Sequence, residues 1–232
     1  MRHETVLICV LVLLLSTIPA AQEKLYVFYP TTTRPQVIQD RMSSSFDGVT
    51  VTVFGRYNDF TAKVGMDPPD AIITKPALIS QIGGYTIVLN AQRRGKTEEA
   101  YVLVSINTPL DPASVNGETV LGAIDLLGRN GMKTFSEQFF SVEPKIKRVT
   151  KVEDLLPLLS FNMAAGIVIE DVFVNYFKTT SQLQFAITSL TGSKGGILAL
   201  AVRDGSKADK TVAALKKNDK EICGMFEVDS WK

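Results

Sequence analysis

The alternation of apolar and polar positions predicts strands and helices that succeed one another along most of the chain. Several short runs are rich in β-branched and aromatic residues, a composition typical of strands. These runs are 24–29, 49–54, 70–74, 100–106 and 164–169. Between them, apolar residues recur at helical spacing. Strands that alternate with helices favour a parallel sheet.

The middle of the chain, residues 117–171, shows this succession most clearly. Its pattern predicts strand, turn, helix, strand, helix, strand. Ligands bind such sheets at the carboxyl ends of the strands. Pro157 interrupts the helical stripe that includes Leu155 and Leu159, and proline is tolerated only in a first turn. The second helix is therefore either short, with Asp154 as its cap, or kinked.

The segments on either side of this unit have the same build, so we predict an α/β protein of two lobes. Each lobe is expected to be a mostly parallel sheet flanked by helices, with a cleft between the lobes. We assign residues 22–107 and 182–232 to lobe one and residues 108–181 to lobe two. The proline-rich stretch 108–112 marks the first crossing. Strands at 182–190 and 196–203 are expected in lobe one, joined by a hairpin loop at 191–195.

The N-terminus has the pattern of a targeting segment. Arg2 and His3 precede an unbroken apolar run from Val6 to Leu15, and small residues follow up to Ala20 and Ala21. This arrangement predicts a secretory signal peptide over residues 1–21, cleaved after Ala20 or Ala21, and hence a periplasmic protein. An uncleaved anchor is the alternative, although the apolar run is short for a membrane span.

Composition excludes several kinds of chemistry. Cleavage would remove His3 and Cys9, which leaves no histidine and a single cysteine, Cys223. A Ser-His-Asp triad, a Cys-His pair, a His-ligated zinc ion and an intrachain disulfide are then excluded. The net charge of +1 gives no reason to expect a nucleic-acid partner. We assign no catalytic residue, metal or cofactor, and we expect a monomer.

Four segments, taken in order, resemble the phosphate/phosphonate-type substrate-binding proteins of ABC transporters, which have the type 2 periplasmic binding protein fold. The segments are 25–30, 70–74, 110–125 and 152–169. The Ser-Thr-Ser-Gly type of anion turn found in many members is absent, and residues 125–131 take its place. The resemblance implies a solute-binding protein that closes two lobes on a small polar or anionic ligand. Its partner would be a membrane transporter or a membrane sensor.

Side chains that follow predicted strands are the candidate ligand contacts. Hydroxyl and cationic groups at such positions can bind a carboxylate or another oxyanion. The candidates are Tyr29, Thr31, Thr32, Arg56, Tyr57, Thr74, Lys75, Asp125, Arg129 and Glu170. Each has a structural alternative: the threonines and the carboxylates can cap helices, and the arginines can be solvated surface residues.

Three functions compete at this point. The first is a solute-binding protein for transport or sensing, with phosphate, phosphonate or a carboxylate as ligand. The second is a periplasmic interaction module that keeps the fold without a transport role. The third is an enzyme that uses Asp125, Glu170 or Asp171 for acid–base chemistry, which we reject because no nucleophile–base pair accompanies them.

Overall fold

The computed structural model describes residues 22–232, without the side chains of residues 192 and 193. The predicted signal peptide lies outside the described residues. Two sheets flanked by helices form within the described part of the chain. No helix within residues 22–232 combines the length and the apolar character needed to cross a membrane.

The first sheet has the strand order β11-β4-β10-β3-β1-β2. Its strands are β1 (Glu23–Phe28), β2 (Val49–Phe54), β3 (Ala71–Thr74), β4 (Tyr85–Gln92), β10 (Ala199–Arg203) and β11 (Ser230–Trp231). β1 pairs in parallel with β2 and β3, whereas β10 is antiparallel to both β3 and β4. We call this sheet and its helices lobe one.

The second sheet has the order β7-β6-β8-β5-β9. Its strands are β5 (Glu98–Ile106), β6 (Val120–Ile124), β7 (Lys145–Val149), β8 (Gly166–Glu170) and β9 (Phe185–Gly196). β6 is parallel to β7 and β8, and β5 is antiparallel to β8 and β9. The predicted succession across residues 117–171 is thus confirmed. We call this sheet and its helices lobe two.

Helices cover the faces of both sheets. Lobe one carries α1 (Pro35–Ser45), α2 (Tyr57–Met66), α3 (Pro76–Ile82), α7 (Asp209–Lys216) and α8 (Lys220–Met225). Lobe two carries α4 (Gly128–Glu137), α5 (Leu155–Ser160) and α6 (Val174–Thr180). Pro35 and Pro76 stand in the first turns of α1 and α3, where a missing N–H costs nothing and the fixed φ suits a helix.

Helix α5 resolves the conflict at Pro157. The helix is short, it begins after Asp154, and Pro157 lies in its first turn. It packs closely on β6, because a Cβ atom at Gly122 would lie 2.7 Å from Leu158 Cδ1 and 2.9 Å from Ile167 Cγ2. Gly122 therefore sets the distance between this helix and the second sheet.

Sheet membership differs from the predicted lobe boundaries of 22–107, 108–181 and 182–232. The strands predicted at 100–106 and 182–190 belong to the second sheet as β5 and β9, because they pair with each other and β5 pairs with β8. The predicted hairpin loop at 191–195 is part of β9, which continues to Gly196 against β5. These two antiparallel strands make lobe two a mixed sheet.

Candidate functional site

A buried ion pair joins the two lobes at the base of the cleft. Lys75 follows β3 at the start of α3, and Glu170 ends β8 beside β5. Lys75 Nζ lies 2.6 Å from Glu170 Oε1 and also donates to the Gly196 carbonyl oxygen at 3.1 Å. The two side chains are only 6% and 3% exposed, so solvent screens this pair weakly.

Tyr29 and Arg93 complete the surroundings of the Glu170 carboxylate. The Tyr29 hydroxyl donates to Glu170 Oε2 at 3.2 Å, and Arg93 Nη1 lies 3.7 Å from the same oxygen. Arg93 Nη1 also donates to Glu99 Oε2 at 2.6 Å. Lys75 Nζ lies 5.2 Å from the centroid of the Tyr29 ring, within the range of a cation–π interaction. We call Tyr29, Lys75, Arg93, Glu99 and Glu170 the floor cluster.

Burial shifts the titration of groups in and beside the floor cluster. It raises the pKa of the Tyr29 hydroxyl well above its ordinary value, so the hydroxyl stays protonated and acts as a donor. Burial lowers the pKa of the Lys75 ammonium, although the adjacent Glu170 carboxylate opposes that change. Burial also raises the pKa of the Glu227 carboxyl group, against the opposing charge of Arg93. Because water is largely excluded here, the protonation states of these groups depend on burial and on the charges beside them.

A cavity of about 390 Å³ lies between the lobes on one side of the floor cluster. Lobe one lines it with residues 29–36 after β1, and lobe two lines it with Thr150, Lys151 and Glu153 after β7. Both contributions follow strand ends, as predicted for this fold class. We call it the threonine cavity. Arg34 and Lys151 bring positive charge to it from opposite lobes, and helix α1 begins at its wall.

Two of the predicted threonines hold the wall of this cavity in place. Thr31 Oγ1 accepts a hydrogen bond from the Thr33 N–H at 2.8 Å, which fixes the turn after β1. Thr32 Oγ1 donates to Glu227 Oε1 at 3.3 Å and so links the turn to the C-terminal segment. Thr31 therefore has a local role in this turn, but neither threonine caps helix α1, whose N-cap is Arg34 without a side-chain hydrogen bond.

A second cavity of about 580 Å³ lies on the other side of the floor cluster, between α3, α4 and the end of β9. We call it the helix cavity. Its walls are mostly apolar, with Leu126, Met132 and Phe135 among the lining residues. Gln81 also lines it, and Lys75 connects it to the floor cluster. Such a volume and lining are within the range of small-molecule sites.

The lobes also touch at the rim of the helix cavity. Gln81 Nε2 donates to the Leu127 carbonyl oxygen at 3.3 Å and to the Tyr57 hydroxyl at 2.8 Å. A Cβ atom at Gly128, where φ is +70°, would lie 2.6 Å from Tyr57 Cε1. Only glycine allows this approach without strain or displacement of the ring. Tyr57 therefore lies at an inter-lobe contact.

The other predicted residues lie apart from the floor cluster. Asp125 accepts a hydrogen bond from the Gly128 N–H at 2.9 Å and pairs with Arg148 at 2.7 Å, so it orders the start of α4. Arg129 is exposed in a groove of lobe two together with Lys133, Lys147 and Arg148.

Arg56 and Thr74 have contrasting environments. Arg56 is exposed at the N-cap of α2, at the end of β2. Thr74 is fully buried at the end of β3, and its hydroxyl has no hydrogen-bond partner among the described residues. Neither side chain lines the threonine cavity or the helix cavity. For all ten candidates, a ligand-binding role stays a prediction.

Several residues of the cleft carry no signal that the sequence analysis recognised. Arg93 lies in the charged stretch 92–97, whose composition is typical of a turn, and Glu99 stands two residues after that stretch. Arg34 and Lys151 follow predicted strands, and the same rule that selected Thr31 and Lys75 could have found them. Within residues 22–232, no group of three or more His, Cys, Asp or Glu side chains is placed to hold a metal ion.

Comparison with known proteins shows the fold. No protein-family model matches the chain, and no curated protein matches it. Solved structures do match. A binding protein of an ABC phosphonate transporter from Pseudomonas aeruginosa has a TM-score of 0.63 and 11% identity, over 91% of this chain and 81% of that one.

Two further solved structures match most of the chain. A double mutant of the VFT2 domain of BvgS from Bordetella pertussis has a TM-score of 0.57 and 12% identity, over 88% of this chain and 91% of that one. The GluR0 ligand-binding core in complex with L-glutamate has a TM-score of 0.59 and 13% identity, over 90% and 98% of the two chains. Such low identities support the fold alone. The chain has the two-lobed α/β fold of the type 2 periplasmic binding proteins.

Proposed function

We propose that this protein is a periplasmic solute-binding protein that closes its lobes on a small polar, anionic ligand. The threonine cavity is the observation that carries the proposal. Loops from both lobes line it at strand ends, and Arg34 and Lys151 supply positive charge from opposite walls. Closing the lobes would bring these two charges to one anion, and hinge closure around a ligand is a common transition for two-lobed proteins.

The solved structures that match the chain favour an anionic ligand. One is a component of a phosphonate transporter and another is bound to L-glutamate, and phosphonates and L-glutamate both carry negative charge. We therefore favour a phosphonate, a phosphate or a carboxylate as the ligand, delivered to a membrane transporter or reported to a membrane sensor. The net charge of Arg34, Lys151 and Glu153 leaves the cavity positive.

A ligand screen tests this function. Thermal unfolding of the periplasmic form is measured with phosphate, phosphonates, amino acids and dicarboxylates, at equal ionic strength. A ligand at a hundredfold excess over its dissociation constant stabilises the folded state by about 2.7 kcal/mol. Isothermal titration calorimetry then gives the dissociation constant of each compound that raises the melting temperature.

Matched variants locate the site. Arg34→Gln and Lys151→Gln should each weaken binding about tenfold or more, because each loses a charge-assisted hydrogen bond. Lys216→Gln and Lys217→Gln remove exposed charges of α7 and the residue after it, outside the cavity, and should leave binding unchanged. Equal affinities in all four variants would contradict the threonine cavity as the site.

The periplasmic location has its own test. Intact mass spectrometry of the protein recovered from a periplasmic extract should give the mass of a chain that begins at Ala21 or Gln22. A full-length chain in the membrane fraction would support the uncleaved anchor instead.

An interaction module is the second candidate function. The observation that favours it is the floor cluster, where the chain's own charges fill the base of the cleft. A photo-crosslinker at Gln81, on the rim of the cleft, should then trap one membrane protein in cells, whereas a crosslinker at Lys216 should not. Crosslinking of this kind without any stabilising ligand would favour the module over the solute-binding protein.

A further inference from the structure

We propose that lobe one contains a binding site for a small carboxylate, and that the Glu170 side chain of lobe two occupies it as a built-in ligand. Three groups from lobe one meet this carboxylate: the Tyr29 hydroxyl at 3.2 Å, Lys75 Nζ at 2.6 Å and Arg93 Nη1 at 3.7 Å. They follow three different strands, β1, β3 and β4. The proposal is independent of whether the threonine cavity binds a solute.

Two of the three donors, Lys75 and Arg93, are held in place by contacts other than Glu170. Lys75 Nζ donates to the Gly196 carbonyl oxygen at 3.1 Å, and Arg93 Nε donates to the Glu227 carbonyl oxygen at 2.5 Å. Arg93 Nη1 also pairs with Glu99 at 2.6 Å. The site is therefore preorganised, because most of the ordering of its side chains does not depend on the occupant.

The site is buried, and one of its hydrogen-bond donors is unused. The Lys75, Arg93 and Glu170 side chains are 6%, 7% and 3% exposed. Arg93 Nη2 is buried and has no hydrogen-bond partner among the described residues. A buried guanidinium with an unsatisfied donor is costly, and a second acceptor oxygen near it would lower that cost.

Charge balance explains why a carboxylate belongs there. Lys75 and Arg93 carry two positive charges, and Glu99 and Glu170 carry two negative charges. Removal of the Glu170 carboxylate would leave the buried Lys75 ammonium without its ion-pair partner, and breaking a buried pair in this way is strongly destabilising. A small anion that fits the vacated space would restore the balance.

Chemical rescue tests the proposal. Glu170→Ala removes the carboxylate and leaves space, whereas Glu170→Gln removes the charge but keeps the volume. We expect formate or acetate to raise the melting temperature of Glu170→Ala by about 3 °C or more near saturation, relative to chloride at equal ionic strength. Neither anion should stabilise the wild type or Glu170→Gln, because their sites are filled.

Two controls assign the effect to this site. Acetamide, which has the shape of acetate without its charge, should not stabilise Glu170→Ala. The double variant Lys75→Met/Glu170→Ala should lose the response to formate, because its strongest donor is gone. A folded Glu170→Ala variant that responds equally to formate and chloride overturns the proposal.

A refolding measurement covers the case in which Glu170→Ala does not fold in buffer alone. The denatured variant is then diluted into formate, acetate or chloride, and the folded fraction is followed by circular dichroism. Recovery in the carboxylates but not in chloride supports the built-in ligand. Equal failure in all three salts overturns it.

Discussion

At the scale of single residues, Asp70 connects three strands of the first sheet. Its carboxylate accepts hydrogen bonds from the Lys24 N–H at 2.9 Å and from Ser206 Oγ at 2.6 Å, and Arg203 Nη2 lies 3.4 Å away. We expect Asp70→Asn to lower the free energy of unfolding by about 1–3 kcal/mol at pH 7, because hydrogen bonds to a charged group are lost. Urea denaturation of both proteins measures the difference.

The effect of Asp70 should depend on pH with a defined sign. Burial alone would raise the pKa of this carboxyl group, but Ser206, the Lys24 N–H and the charge of Arg203 lower it below the ordinary 3.8. The stabilisation is therefore present above pH 3.8 and is lost as the pH falls through the folded-state pKa. Asp47→Asn, at an exposed turn, should change stability by less than about 0.5 kcal/mol at any pH. A gap between wild type and Asp70→Asn that widens in acid would contradict this assignment.

Lys75 and Glu170 should behave as a coupled pair. Lys75→Met leaves the Glu170 carboxylate without its nearest cation, so we expect a loss of about 3 kcal/mol in the free energy of unfolding. The double variant Lys75→Met/Glu170→Met should be less destabilised than the sum of the single variants, by about 1 kcal/mol or more. Strict additivity in this double-mutant cycle would mean that the two side chains do not stabilise each other.

At the scale of elements, the contact between β6 and α5 depends on a glycine. A Cβ atom at Gly122 would meet both Leu158 of the helix and Ile167 of β8. We expect Gly122→Ala to lower the free energy of unfolding by about 1–3 kcal/mol, because the core has no room for the extra methyl group. Thermal and urea unfolding of the variant give this value.

Gly65→Ala is a control for Gly122→Ala, with the opposite expected effect on stability. Gly65 lies in helix α2, and a Cβ atom there would have no neighbour within 4 Å. Gly65→Ala should stabilise the protein by about 0.4–1 kcal/mol, because alanine restricts the unfolded chain and favours the helix. If both alanine variants had the same effect, packing would not be the reason for glycine at position 122.

Local pattern predicts the elements well and their partners poorly. The runs at 49–54 and 70–74 form β2 and β3, since β-branched residues favour a strand whichever strand they pair with. The same signal at 100–106 does not say which sheet will pair with the strand, and β5 joins lobe two. The glycines at 192 and 195 predict a turn, yet both lie within β9. Gly195 pairs with Glu99 of β5, whereas residue 192 lies at the register shift between the two paired stretches of β9.

At the scale of the whole molecule, the cleft combines what the sequence predicts with what it cannot. Tyr29, Lys75 and Glu170 follow strands, so the rule for parallel sheets brings them to one place. Arg93 and Glu99 reach the same place only because the chain crosses from β4 to β5 between them. The spacing of residues along the sequence does not predict this crossing, because it depends on how the two sheets pack against each other.

The contact between lobes at Gln81 should set how far the cleft opens. Gln81 bonds to the Leu127 carbonyl oxygen across the lobes, and Gln81→Ala removes that bond. Loss of one hydrogen bond costs the closed form about 0.5–1.5 kcal/mol, so the ratio of closed to open molecules should fall about two- to tenfold. Gln184→Ala, an exposed glutamine of lobe two, should leave the ratio unchanged.

Distances between spin labels measure this equilibrium directly. Met66 at the end of α2 and Phe161 after α5 are exposed and lie in different lobes, so cysteines there can carry the labels in a Cys223→Ser background. We expect Gln81→Ala to move population to longer distances, and a ligand of the threonine cavity to move it back, because a ligand that contacts both lobes binds the closed form more tightly. Identical distance distributions for Gln81→Ala and Gln184→Ala would show that this contact does not control closure.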